Sequence, residues 1–266
     1  MRATTLLFHD VVPANRWESS GFPGADADVY KLECGEFREH LSAIARHLRQ
    51  PPSTALDLLA RAPERHCFLL TFDDGGVSAL LHVAGLLDEF GWKAHFLITA
   101  GRIGTLGFLD ANQIRELRRR GHVIGSHSYS HPLRMALCPP AQLDEEWRRS
   151  VSLLSEILGE PVRVASVPGG YYSRDVARAA ARAGIRVLFN SEPVTRARTV
   201  DGCLVLGRFG AQRGYPPQWS AALVEGRRAP RIREYLFWNV KKAAKRLLGT
   251  AWLRARVWLL ARRQRP

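Results

Sequence analysis

Two carboxylates stand side by side in Thr71-Phe72-Asp73-Asp74-Gly75-Gly76, directly after an apolar run. Adjacent carboxylates in a sheltered place repel each other unless a cation or a proton separates them. A divalent metal uses such a pair in two ways, one acid as ligand and the other as base toward a bound water. An Asp pair that opens a helix as its cap is the plainer alternative. A second cluster, Ser126-His127-Ser128-Tyr129-Ser130-His131-Pro132, sets two histidines four residues apart. On a helical turn that spacing puts both rings on one face, as in zinc sites. Two histidines plus one carboxylate, with positions left open, form a recurrent catalytic shell. A third polar stretch, Pro168-Gly169-Gly170-Tyr171-Tyr172, reads as a tight turn before a helix.

Something must bring these clusters together across some fifty residues of chain. Short apolar runs at Leu6–Phe8, Cys67–Phe72, Ala94–Thr99, His122–Gly125, Val162–Val167, Ile185–Phe189 and Leu204–Leu206 read as strands. Between them, helical spacing predicts helices over Ser78–Phe90, Ala111–Arg120, Ala141–Leu158 and Arg174–Ala183. Alternating strands and helices predict a parallel α/β architecture, and apolar runs without alternation suit strands buried on both faces. The pattern alone leaves an open sheet and a closed barrel equally available. Each polar cluster follows a strand, and strand C-terminal ends are where both architectures build their sites.

In this order and at this separation, T-F-D-D-G, then G-H-x-I-G-S-H-S-x-S-H-P, then a P-G-G turn resembles the polysaccharide deacetylase family, carbohydrate esterase family 4. The similarity runs from about Leu6 to Phe209. It implies a distorted (β/α) barrel of about seven strands over residues 1–215, followed by a basic helical extension over residues 216–266. By this resemblance Asp74, His127 and His131 hold a divalent metal, usually zinc, and Asp73 is the general base. The Gly169 N–H becomes the oxyanion donor, and Pro168, Gly170, Tyr171 and Tyr172 line the substrate cleft. Two departures stand out. Where the family's third motif usually begins with an Arg that orients the base, this chain has Ser166, so Arg208 is the candidate to supply that guanidinium. The family's late histidine is also missing, since no histidine follows His131. Some members carry it near the start, and Leu7-Phe8-His9-Asp10-Val11-Val12 fits that version, which makes His9 the general acid. The implied activity is metal-dependent removal of an N-acyl group, acetyl first and formyl second, from an amino sugar in a glycan or lipid-linked glycan. The alternative from another class is a catalytically weakened glycan-binding protein on the same fold.

Five other histidines, His40, His47, His66, His82 and His95, read as exposed or internally satisfied, and Trp147 as a core residue. The four cysteines are widely spaced with no C-x-x-C pair, which argues against a disulfide framework and fits a reducing compartment. The start, MRATTLLFHDVVP, makes a poor signal peptide, so the expected location is cytoplasmic, peripheral on the inner face of the membrane. The peripheral reading comes from charge. The chain carries 39 basic and 25 acidic residues, and 13 of the basic ones fall from Arg227 onward against a single acid, Glu234. Placed on a helix, Leu236 to Leu259 gathers leucines and tryptophans on one side and most lysines and arginines opposite. That pattern suits an anionic bilayer surface through residues 236–263. No nucleic-acid-binding motif accompanies the charge, so no nucleic-acid partner is expected.

Overall fold

The computed structural model describes residues 1–60 and 66–240. Its main sheet has nine strands: β1 (Ala3–Phe8), β2 (Cys67–Phe72), β3 (His95–Ile98), β4 (Val123–Ser126), β5 (Val164–Ser166), β6 (Val187–Phe189), β7 (Arg198–Val200), β8 (Cys203–Leu206) and β9 (Phe209–Gly210). They lie in the order β9-β1-β2-β3-β4-β5-β6-β8-β7, all neighbours parallel except the antiparallel β8–β7 edge. Only Gly207 and Arg208 separate β8 from β9, yet β8 pairs with β6 and β9 with β1. One short segment therefore joins the two ends of the curled sheet, and the fold is a distorted (β/α) barrel. The two strands beyond the expected set are the short β7 and β9.

Helices α1 (Cys34–Ala45), α2 (Ala55–Ala60), α3 (Ala84–Glu89), α4 (Ala111–Arg119), α5 (Pro140–Leu158), α6 (Arg174–Arg182) and α7 (Pro217–Val224) pack around the sheet. The helix expected over Ser78–Phe90 opens instead with a wider π turn, Ala79–Val83, before α3. Its lead-in is engaged elsewhere, because Ser78 Oγ donates to the buried Asp10 carboxylate at 2.8 Å. Helices α1 and α2 were not read from the sequence, although Phe37, Leu41 and Ile44 carry helical spacing in α1, whereas α7 falls at the start of the helical extension expected over residues 216–266. Helices α1 and α7 pack on each other, and His40 is satisfied between them by Ser220 Oγ at 2.7 Å and the Tyr215 carbonyl at 3.0 Å. Trp147 is fully buried on α5. All four cysteines are free thiols.

Strand parity decides which side chains enter the barrel, because successive residues of a strand face opposite sides. On β2, Phe68, Leu70 and Phe72 join the large core under the helices, while Cys67 and Leu69 join a smaller core inside the barrel. Leu97 on β3, Val123 on β4, Val164 on β5, Val187 and Phe189 on β6 and Leu206 on β8 complete that inner layer. Continuing the same alternation past each strand's end turns Asp73, His127 and Arg208 inward. His9 after β1 and Ser166 at the end of β5 follow the same rule.

Beyond α7 the chain forms a further helix over residues 228–240. Arg231 donates from this helix to Thr4 Oγ1 at 2.8 Å, and Glu234 accepts from Trp219 Nε1 at 3.2 Å. The basic amphipathic pattern read from Leu236 to Arg263 falls outside the described residues after Val240. Among the described residues, no helix is long and apolar enough to cross a membrane.

The break at Gly207 is sterically enforced. A Cβ there would stand 2.3 Å from the Glu192 carbonyl oxygen and 2.5 Å from that of Val194, both backbone atoms. Gly207→Ala is expected to lower unfolding free energy by about 2 kcal/mol in denaturant titration; an unchanged midpoint would show that the closing segment tolerates a side chain.

Candidate active site

Asp74, His127 and His131 offer ligand atoms that all lie within 4.8 Å of one another. Asp74 Oδ1 is 3.4 Å from His127 Nε2 and 3.6 Å from His131 Nε2. In a tetrahedral zinc shell with bonds of about 2.0–2.1 Å, donor atoms stand about 3.3 Å apart. Both the spacing and the nitrogen–nitrogen–oxygen donor set therefore fit a divalent metal.

Asp73 is held by a different set of partners. Arg208 donates to both of its oxygens, Nη1 to Oδ1 at 2.7 Å and Nη2 to Oδ2 at 2.8 Å, and its Nε donates to the Asn190 carbonyl. Ser166 adds a third donor, its hydroxyl reaching Asp73 Oδ1 at 2.9 Å. The same Ser166 Oγ lies 2.6 Å from His127 Nδ1. Because the hydroxyl proton is committed to Asp73, His127 Nδ1 is the donor in that contact. The tautomer is thereby fixed, and the Nε2 lone pair faces Asp74, as a metal-binding imidazole requires.

The electrostatics separate the two acids. Burial alone pushes the Asp73 carboxyl up, but the Arg208 guanidinium, with His127 behind it, holds it well below the usual carboxylate range. Burial pushes the Asp74 carboxyl up to about 7, with His9 opposing and Asp73 adding to the shift. His127 is pushed down to about 3, chiefly by burial, and burial likewise lowers His131. Both imidazoles thus stay neutral and keep a lone pair for a cation.

The loop carrying the histidines departs from the sequence reading. Residues 127–131 form no helical turn: Ser128 and His131 have φ of 62° and 60°, and Asp74 has φ 74°. Among the described residues, three of the five non-glycine residues with positive φ thus belong to this cluster, and such conformations persist only where surroundings impose them. What holds the histidine loop in this shape is Glu146 on α5. Its Oε2 accepts from the Tyr129 and Ser130 N–H groups at 3.0 and 2.8 Å, and its Oε1 accepts from Ser130 Oγ at 2.5 Å. From the next turn of the same helix, Ser150 Oγ meets Ser126 Oγ at 2.6 Å.

Residues 60–188 match the polysaccharide deacetylase family. That segment carries both the Asp pair and the two histidines of the cluster. YxkH of Bacillus subtilis (strain 168) is 27% identical over 165 residues, covering 62% of this chain and 58% of that relative. This chain therefore aligns with little more than half the length of that curated relative. Among solved structures, the Streptococcus pyogenes deacetylase PplD in complex with acetate superposes with a TM-score of 0.68 at 19% identity, covering 82% of this chain and 96% of that one. IcaB from Ammonifex degensii superposes at 0.66 with 22% identity, covering 84% and 96%. At these identities the two structures speak for the fold.

Within this barrel the other expected residues gather at the same strand ends. His9 follows β1, stacks on Tyr30 with ring centres 4.9 Å apart, and has a buried Nδ1 without a hydrogen-bond partner among the described residues. Pro168 to Gly170 form a single 3-10 turn after β5, in which Gly169 is exposed; Tyr171 and Tyr172 are half-buried beside it. Three contributors went unread in the sequence. Glu146 falls on the stripe of Leu143, Trp147, Ser150 and Leu154, and an acid on an apolar stripe was the available signal. Phe22 stacks on His131 at 4.9 Å from a loop with no helical or strand pattern. Ser166 was noted only as the replacement of an arginine, not as a link between His127 and Asp73. A cleft of about 1000 Å³ lined by Thr4, His47, His66 and Cys67 lies at the opposite end of the strands and shares no residue with the cluster.

Two outcomes follow for metal binding. Asp74 must lose its proton to act as a ligand, so affinity is expected to rise with pH through about 7. Below that value, calorimetry should record release of about one proton per metal bound; pH-independent affinity would count against Asp74. Glu146→Ala is expected to weaken zinc affinity about 10–100-fold by releasing the loop. Glu146→Gln, which keeps an acceptor for both N–H groups, should retain most of the affinity.

Proposed function

We propose that this protein removes an N-acyl group, acetyl in the first instance, from an amino sugar of a glycan. Asp74, His127 and His131 hold a divalent metal, with zinc the first candidate. The observation that carries the reading is the chain His127–Ser166–Asp73–Arg208, which sets a charged carboxylate beside a three-ligand cluster. When bound, the metal supplies polarisation of the amide carbonyl and acidification of water, which an unreactive acetamide requires.

The chain's own residues do the rest. Asp73 accepts the proton of the attacking water. Arg208 keeps it ionised and fixes its direction, so the base is in place before substrate arrives. The Gly169 N–H donates to the developing oxyanion. His9, on the inner face beside the two acids, gives a proton to the departing amine so that it leaves as a neutral amino sugar. Tyr171 and Tyr172 offer faces for a sugar ring. A glycan-binding protein that has lost catalysis is less well supported, because the guanidinium missing from the third motif reappears on Asp73 as Arg208. The strongly basic C-terminal sequence favours a lipid-linked glycan over a free polymer.

The test is acetate release from N-acetylglucosamine oligomers by the zinc-loaded protein, with formate release from N-formyl analogues in parallel. His9→Ala is expected to lower turnover about a hundredfold or more with metal content unchanged. Loss of metal in that variant would make His9 a ligand instead. Absence of both acetate and formate from the metal-loaded wild type would overturn the deacylase reading.

A further inference from the structure

The helix over residues 228–240 does not hang free of the barrel. Arg231 and Glu234 are tied to Thr4 and Trp219, and Trp238 reaches the catalytic end of the strands. There its ring lies so close over Gly170 that a Cβ on that glycine would stand 2.6 Å from Trp238 Cη2. Gly170 also has φ +69°, so the turn bearing Gly169 is fitted to this tryptophan by both space and backbone.

Residues 231, 234 and 238 mark the packed side of the helix. At 100° per residue, positions 232, 236 and 240 point the opposite way. They are Ile232, Leu236 and Val240, exposed at 55%, 58% and 67%. A second apolar patch stands on the rim of the site: Leu133 and Leu137, in the segment just after His131, are 76% and 70% exposed. The Leu133 carbonyl lies against Gly169 and Trp238 against Gly170, so this patch and the packed side of the helix meet at the same turn. Among the described residues nothing covers these leucines or the helical stripe, and exposed apolar surface of this kind marks an interaction surface.

We propose that this surface docks the catalytic mouth on an anionic lipid bilayer. The charge of the chain selects that occupant: from Arg227 onward the sequence carries 13 basic residues and one acid, which complements anionic headgroups. An apolar stripe joined to so basic a sequence is the composition of an interfacial helix. Docked this way, the mouth meets the headgroup layer, where the sugar of a lipid-linked glycan sits. The inference deepens the deacylase reading, and it rests on that reading only for what enters the site.

The 266-residue chain is tested by flotation with vesicles of phosphatidylcholine containing phosphatidylglycerol, and with vesicles of phosphatidylcholine alone. The wild type is expected to float with the anionic vesicles only. A variant combining Ile232→Glu, Leu236→Glu and Val240→Glu should lose at least about tenfold in partitioning, and Leu137→Glu a smaller part. Leu59→Glu, at the far end of the barrel, should behave as wild type. Turnover of a soluble substrate by the triple variant should be unchanged. Undiminished flotation of the triple variant would overturn the proposal. So would a wild-type dimer in solution that the triple variant converts to monomer, because a second copy would then cover the stripe. Failure of the wild type on soluble substrate would strike the deacylase reading alone and leave the flotation result intact.

Discussion

The ion pair between Asp73 and Arg208 is the contact on which most of this architecture depends. Both groups are inside the barrel, Arg208 at 1% and Asp73 at 5% exposure, and the guanidinium grips both carboxylate oxygens. Removing one member of such a pair leaves a bare charge in a dry interior, at a cost of about 3–5 kcal/mol. The pair also has a structural office. Arg208 sits where the last strand leaves β6 for β1, so its bond to the end of β2 draws the two ends of the sheet together. Through Ser166 the same carboxylate reaches His127 and fixes which nitrogen is free. Closure of the barrel, ionisation of Asp73 and orientation of His127 are therefore one network.

Around that pair the site follows from two elementary constraints. The first is the alternation of side chains along strands, which delivers His9, Asp73, His127, Ser166 and Arg208 to one interior from five different places in the chain. The second is what alternation cannot do. Asp74 is adjacent to Asp73 and would face the helices if the strand continued, so the backbone turns through φ 74° to bring it back beside the histidines. His131 needs a similar turn, and Glu146 supplies the fixed acceptors that hold it. The positive φ values are thus the cost of placing neighbouring residues on the same side.

This division also explains what could be read in advance. Asp73, Asp74, His127 and His131 were legible because metal chemistry demands those residue types, and the apolar runs before them announced strands. The role of Arg208 was legible as a vacancy, since Ser166 stood where a guanidinium was wanted. The helical turn assigned to His127 and His131 was misread because spacing alone cannot distinguish a helix from a loop held by a distant carboxylate. Glu146 lies between Glu145 and Trp147, and only its phase on α5 separates a buried clamp from an exposed acid. Strand parity was hidden by the composition itself: with both faces apolar, inner and outer residues look alike. The jump of the last strand from β6 to β1 turns on Gly207, whose need for zero side-chain volume exists only once Glu192 and Val194 are in place.

The closing segment has a bearing on how the molecule comes to exist. Strand β9 pairs with β1 across almost the whole length of the barrel sequence, and Arg208 meets an aspartate 135 positions earlier. Contacts between such distant parts of a chain form late, because the loop must be closed before any of them is rewarded. Strands β1 to β6, each beside its predecessor, can assemble progressively as the chain lengthens. Until the segment around Gly207 arrives, Asp73 lacks its guanidinium, and a buried carboxyl in that position would hold its proton. The nascent barrel therefore acquires an ionised Asp73 and its final shape in the same event.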